Sequence, residues 1–350
     1  MMHRVLFNRA IGPNPHSFLL PEPVRDVGDY GAIPTSGLTS GHQGCIGCGM
    51  VTGTNQLLRA MKLTGRHVVA SIGTGCNEVI TTQNTSCWGA VSVDHNNFPN
   101  TGATLSGNIA ALRALARTGV LREQDFVNVG IAGDGGTYDI GLQAFLAWIA
   151  RGENGVYVCL NNQAYMNTGV QGSGATPFGA TTSTTPFGKA IRGNQRRPQY
   201  LLDLAIAAGA AYAASACPLF HRDLMIKAQK AAAIEGPCVL EIYSVCPEGW
   251  KSDTDVFHEI TELALETRSW VLYEAERQRG DNTVLFTLNY VPKRFLPVSE
   301  YLKLQERFAG MSAFPDMVRE AQAIIDARWA FWEPVLEANG IRWKESAHAS

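Results

Sequence analysis

No stretch of this chain strings together the roughly 18 to 20 apolar residues needed to cross a bilayer. The N-terminus, MMHRVLFNRAIGPNPHSFLLPEP, lacks an apolar core followed by a small-residue cleavage site, so a secretory leader is not expected and the chain is read as soluble and cytoplasmic. Charge is also scarce. Only 17% of residues are Asp, Glu, Lys or Arg, the net charge is −2, and Lys and Arg form no long runs, which excludes the electrostatic footprint of a nucleic-acid binder. No internal repeat is visible. What remains is a chain of 350 residues with 45% apolar content, enough for one large or two modest globular domains with a sizeable core.

Glycine, by contrast, is abundant, and its 35 residues cluster around candidate sites rather than in a linker. The central stretch is Gly133-Asp134-Gly135. The run from Phe126 to Ala132 is apolar and β-branched, as in a buried parallel strand. It ends in a turn of small residues that can approach a ligand closely. Thr137 to Gly152 follows with helical spacing of Ile140, Leu142, Phe145, Leu146 and Ile149. A second apolar strand, Val156 to Leu160, runs into Asn161-Asn162-Gln163. One strand-turn-helix-strand unit therefore brings Asp134 and Asn162 to the carboxyl ends of neighbouring parallel strands, where open α/β sheets bind ligands. A carboxylate and an amide oxygen flanked by glycines suit Mg²⁺ carrying a phosphate.

Eight cysteines make the second signal: Cys45, Cys48, Cys76, Cys87, Cys159, Cys217, Cys238 and Cys246. Cys45 and Cys48 form a C-x-x-C loop among Gly44, Gly47 and Gly49. Cys76 ends a strand in Gly73-Thr74-Gly75-Cys76. Cys246 follows the strand Cys238 to Tyr243 in C-P-E-G-W. Four such cysteines can converge on a [4Fe–4S] cluster or on zinc, and a lone C-x-x-C can be a redox pair. Cys159 and Cys238 lie inside apolar strands and read as core residues. Cys87, in a polar loop, is a reserve ligand.

Together these motifs resemble the β subunit of the 2-oxoacid:acceptor oxidoreductases, the pyruvate:ferredoxin oxidoreductase type. The resemblance runs from about Gly41 to Trp250, and the tail Pro297-Val-Ser-Glu-Tyr-Leu-Lys-Leu-Gln-Glu-Arg-Phe308 extends it. It implies a thiamine-diphosphate-binding α/β fold, with a mostly parallel sheet, helices on both faces and a C-terminal helical extension. It implies that Asp134, Asn162 and the carbonyl of Ala164 hold the diphosphate-bound Mg²⁺, with Gly133, Gly135, Gly75 and Gln163 around the cofactor. Cys45, Cys48, Cys76 and Cys246 would ligate a [4Fe–4S] cluster. Asn167, Thr168 and Gln171 would line the active site, and His95 is a candidate acid or base. The implied reaction is thiamine-dependent oxidative decarboxylation of a 2-oxo acid to an acyl-CoA, with electrons leaving through the cluster to ferredoxin or NAD. Thiamine folds need a second domain for the aminopyrimidine, so an α-type partner, a ferredoxin-like cluster subunit and a flavin subunit that reduces NAD are the implied partners, beside coenzyme A.

One position departs from the family. The cysteine loop usually continues Cys-Gly-Glu, and here Met50 replaces the carboxylate. That change and Trp88 beside Cys87 lean the substrate towards an aromatic 2-oxo acid, phenylglyoxylate, with pyruvate or another 2-oxo acid as the alternative. Two other readings are a thiamine decarboxylase or synthase half with structural zinc, and a non-catalytic electron carrier. Residues 1–40 read as an N-terminal arm, 41–250 as the cofactor domain and 251–350 as a C-terminal extension. Helices are expected over Leu201 to Ser215, Asp223 to Ile234, Val256 to Arg279 and Asp316 to Ala338, with a strand at Thr283 to Leu288.

Overall fold

A computed structural model describes residues 4–8, 37–280 and 282–341. Most of the expected N-terminal arm lies outside them. The sheet strands are β1 (Arg4–Phe7), β2 (His67–Gly73), β3 (Ser92–Asn96), β4 (Phe126–Gly133), β5 (Gly155–Asn161), β6 (Tyr212–Ala216), β7 (Pro237–Tyr243), β8 (Tyr273–Arg277) and β9 (Thr283–Leu288). They form one nine-stranded sheet in the order β1-β9-β8-β6-β7-β5-β4-β2-β3. Among the described residues, only β8 runs antiparallel to its neighbours, β6 and β9.

The helices are α1 (Gly49–Lys62), α2 (Cys76–Thr82), α3 (Thr101–Arg117), α4 (Leu142–Ala150), α5 (Leu201–Ala208), α6 (His221–Ala233), α7 (Pro247–Trp250), α8 (Phe257–Glu266), α9 (Val298–Leu302), α10 (Ala309–Ser312), α11 (Pro315–Trp329) and α12 (Glu333–Ala338). The central strands are apolar on both faces because both faces are covered. On β5, Val156, Val158 and Leu160 join the core shared with α1 and α6, while Tyr157 and Cys159 join the core shared with α3, α4 and α5. Small residues let α3 approach closely, since a Cβ on Gly102 would lie 2.5 Å from the Ala144 carbonyl oxygen. A third core gathers α8, α9, α10 and α11 over the carboxyl end of β7.

Two expected helices are corrected. The helix from Leu201 stops at Ala208, where Gly209 turns left-handed at φ 109°, and the alanine-rich remainder is the buried strand β6. Packing between β7 and β8 overrides the helical propensity of alanine there. The charged run to Arg279 contains α8 but ends in β8. Tyr273 and Ala275 face the core while Glu274 and Glu276 meet Lys230 on the other face, an alternation hidden by its charges. Residues 251–341 thus contribute two strands to the sheet as well as helices. The final expected helix is two, α11 and α12, joined through a tight turn at Ala330–Trp332.

Candidate functional site

Asp134 follows β4 directly and Asn162 follows β5, and these two strands are paired. Asp134 is fully buried. Its carboxylate accepts from the Asn162 backbone N–H at 3.2 Å and from the Ser173 hydroxyl at 2.5 Å. Burial pushes its carboxyl up to about 7 against the pull of Ser173 and backbone N–H groups, with the Asp139 charge adding to the rise. The side-chain oxygen of Asn162 lies 2.8 Å from Asp134 Oδ1 and 2.8 Å from the Ala164 carbonyl oxygen. Three acceptor oxygens this close repel one another. Either the amide is turned so that its NH₂ donates to both, or a cation sits among them. Octahedral Mg²⁺ with ligands at 2.0–2.1 Å holds adjacent oxygens about 2.9 Å apart, so this donor set fits it.

The surroundings keep that corner in place. After Asp134 the chain makes a π-helical turn, Gly135–Asp139, before α4, and a Cβ on Gly135 would lie 2.6 Å from the Tyr165 ring. Gln163 holds a left-handed φ of 67°, and its carbonyl accepts from Thr176 Oγ1 at 2.8 Å. The Trp250 indole N–H donates to the Asn162 carbonyl at 2.9 Å. Asn161 turns the other way: its amide donates to buried Glu241, which also accepts from Tyr138. Gly75, at φ 155°, makes the turn from β2 into α2 in a conformation that favours glycine.

The first cysteine loop packs directly on the Cys246 turn. Gly49 N–H donates to the Val245 carbonyl at 2.9 Å, and a Cβ on Gly47 would lie 2.5 Å from the Thr254 carbonyl oxygen. Thr54 of α1 donates to Asn77 beside Cys76 at 3.0 Å. Cys48 caps α1, Cys76 opens α2 and Cys246 caps α7, its sulfur accepting from Gly249 N–H at 3.4 Å. Burial pushes the Cys76 thiol up to about 12, and the charges of Cys246, Cys48, Asp134 and Cys45 add to that. Cys246 rises to about 11 through burial, with Cys48 and Cys45 contributing. Cys48, Cys76 and Cys246 are each raised mainly by burial, with neighbouring thiols adding to it, and thiols gathered in this way are a donor set that suits a cationic centre. Among the described residues no three His, Cys, Asp or Glu side chains converge as ligands of a single metal ion. A [4Fe–4S] core brings its own irons and sulfides between the thiolates, so its ligands need not converge on one ion.

Cys87 is not brought to this group. It is fully buried in the apolar core with Leu38 and Val91, in a short turn rather than an open polar loop. Cys159, Cys217 and Cys238 are likewise buried. Met50 is buried in the same core as Leu57, so the first turn of α1 carries a thioether where the resemblance leads one to expect a carboxylate.

Asn167 and Thr168 are exposed at the tip of a tight hairpin closed by Tyr165 and Gln171. Thr168 donates to Gln171 Oε1 at 2.5 Å, and the Gln171 amide donates back to the Thr168 carbonyl at 2.9 Å. The hairpin bridges the two sites. Tyr165 stacks on Phe98 at 5.6 Å and lies against Gly135, while Met166 lies against Gly249 beside Cys246. His95 is the penultimate residue of β3, half exposed, with Nε2 2.8 Å from Thr74 Oγ1 and 3.8 Å from the Glu78 carboxylate. It stands beside the Gly75-Cys76 turn rather than beside Asp134. Sequence reasoning missed Ser173, hidden in a polar loop. It also missed Trp250 and Arg307, each of which stands in a quoted motif without an assigned role.

Residues 73–242 match the family described as thiamine pyrophosphate enzyme, C-terminal TPP binding domain. The chain is 42% identical over 276 residues to the pyruvate synthase subunit PorB of Methanothermobacter marburgensis, covering 79% of this chain and 90% of that protein. It is 38% identical over 273 residues to the ketoisovalerate oxidoreductase subunit VorB of Pyrococcus horikoshii, covering 78% and 85%. A chain of the solved 2-oxoglutarate:ferredoxin oxidoreductase of Magnetococcus marinus superposes with a TM-score of 0.50 at 22% identity, over 78% of this chain and 89% of that one. This last likeness speaks to the fold alone.

Proposed function

The chain belongs to the β subunits of the 2-oxoacid:ferredoxin oxidoreductases, and on that premise we propose that it holds the diphosphate end of thiamine and the first electron-accepting [4Fe–4S] cluster of an enzyme that converts a 2-oxo acid and coenzyme A to an acyl-CoA. The observation that carries this reading is the close approach of Asp134 Oδ1 and the Ala164 carbonyl oxygen to the Asn162 side-chain amide, each 2.8 Å from it. When bound, thiamine supplies the carbon nucleophile for decarboxylation, and the cluster accepts electrons one at a time.

This chain's residues orient and enclose. Asp134 and Asn162 hold Mg²⁺, and Ser173 and the Trp250 indole fix the direction of those ligands. Gly133, Gly135 and Gly75 leave room for the diphosphate, and Gln163 shapes the loop between metal ligands. Cys45, Cys48, Cys76 and Cys246 ligate the cluster. The hairpin of Asn167, Thr168 and Gln171 faces the substrate, and His95 stands at the outer edge as an acid or base.

The relatives named above are a pyruvate and a ketoisovalerate enzyme, which favours a short aliphatic 2-oxo acid. The preference for phenylglyoxylate finds no support among them and is not carried forward. An α-type subunit completes the thiamine site, and a ferredoxin-like subunit takes the electrons onward to ferredoxin or, through a flavin subunit, to NAD. No helix among the described residues is long and apolar enough to cross a membrane. Unpaired cysteines suit a reducing cytoplasm.

The test is turnover of a panel of 2-oxo acids by the anaerobically purified complex, with coenzyme A and a viologen acceptor. Pyruvate or 2-oxoisovalerate should be the best substrate. Asp134→Ala should lose bound thiamine diphosphate. A variant complex that keeps stoichiometric cofactor overturns the metal-site assignment.

A further inference from the structure

The sequence suggests no chemistry for the segment after Trp250, yet it contains a buried cation. Arg307 is 5% exposed. Its guanidinium donates to Gln305 Oε1 at 3.0 and 2.6 Å, to Gln163 Oε1 at 2.6 Å and to the Tyr301 hydroxyl at 3.4 Å, all neutral groups. No carboxylate forms an ion pair with it among the described residues. A buried, uncompensated charge is costly, and an arginine cannot shed it by losing a proton. Structures keep such a charge where a bound group brings the opposite one.

Its position identifies that group. The guanidinium lies 3.9 Å above the Trp250 ring. Trp250 ends the single turn of helix that Cys246 caps, and its indole holds the Asn162 carbonyl. Through Gln163, Arg307 also touches the residue between the two metal-binding oxygens of Asn162 and Ala164.

We infer that Arg307 is a positioning residue that supplies the fixed positive charge beside the thiolate-bound cluster and thereby sets how readily the cluster takes an electron. The inference rests on the cluster reading above. Four thiolates around an oxidised [4Fe–4S]²⁺ core make a dianion, and one added electron makes it a trianion. A fixed cation in a low-dielectric setting favours the more negative state, so it raises the reduction potential.

The experiment is a mediated titration of the purified complex with dithionite as electron donor, followed by EPR of the reduced cluster, with iron and thiamine content measured alongside. Arg307→Met removes the charge and keeps most of the volume. Gln305→Glu keeps Arg307 in place and neutralises it with a carboxylate at the position of its present partner. Both should shift the potential to more negative values at parental iron content, whereas Arg307→Lys should stay close to the parent. If Arg307→Met does not fold, Gln305→Glu decides alone. An iron-loaded Gln305→Glu or Arg307→Met complex with the parental potential overturns the inference while leaving the cluster assignment standing. A parent complex without iron overturns the cluster assignment, and the inference with it.

Discussion

At the residue scale the cysteines divide by what surrounds them. Cys246 accepts a backbone N–H and shares its charge environment with Cys45, Cys48 and Cys76, whereas Cys87 sits in the apolar core. Cys246→Ser should therefore remove most of the iron and the EPR signal of the reduced complex. Cys87→Ser should keep four irons per chain while costing about 1–2 kcal/mol of stability, because a hydroxyl replaces a thiol in an apolar setting. Iron and sulfide analysis with thermal unfolding separates these outcomes, and iron loss in Cys87→Ser instead would reverse the assignment. Gly135 is a second residue whose role follows from space. A methyl group there meets the Tyr165 ring at 2.6 Å, so Gly135→Ala must push the hairpin off the turn that follows β4. It should cost on the order of 1–3 kcal/mol and weaken thiamine diphosphate retention, read by fluorescence of the released cofactor. Unchanged retention would mean that the hairpin does not cover this turn.

At the element scale, β8 is the strand whose charges concealed it, and those charges hold it. Glu274 accepts from Lys230 at 2.8 Å, from Tyr212 at 2.7 Å and from Asn289 at 3.2 Å. Burial alone would raise its carboxyl, but the ammonium groups of Lys227 and Lys230 outweigh it and hold the carboxyl below its ordinary value. A depressed carboxyl contributes stability that is present above the unfolded-state value and is lost as the pH falls through the folded one. Glu274→Gln should therefore destabilise the protein by about 1–2 kcal/mol near neutrality, and the gap to the parent should close below the ordinary glutamate range, about pH 4.3. Denaturant melts across that range test it. A gap that does not change with pH would mean that the interactions act through packing rather than charge.

At the scale of the whole molecule, the site lies at the carboxyl end of the sheet, with one side uncovered among the described residues. Cys45 is exposed, Ile46 between the first two cysteines is 79% exposed, and Asn167 and Thr168 stand at an open tip. On the proposed reading, a cofactor held at one end by this chain needs a second surface at the other. The isolated chain should bind thiamine diphosphate more than about tenfold more weakly than the complex, the factor that 1.4 kcal/mol of lost contact costs. Calorimetry on the two preparations measures it, and equal affinities would contradict the need for a partner at the thiamine site.

The sequence by itself determined the elements whose pattern is strong and local. β4, β5, β7 and β9 are apolar runs bounded by turn residues, and Asp134 and Asn162 follow from where two such runs end. Glycine loops and strand ends mark Cys45, Cys48, Cys76 and Cys246 in the sequence as a candidate set. Only the tertiary structure decided β6 and β8, since alanine-rich and charged stretches acquire strand geometry from the neighbours that bury them. It alone placed Cys87 in the core, Ser173 on Asp134 and Arg307 over Trp250. Gln163 and Arg307 stand 144 residues apart in the chain, and no local pattern encodes a contact that exists only once the C-terminal helices close over the end of the sheet.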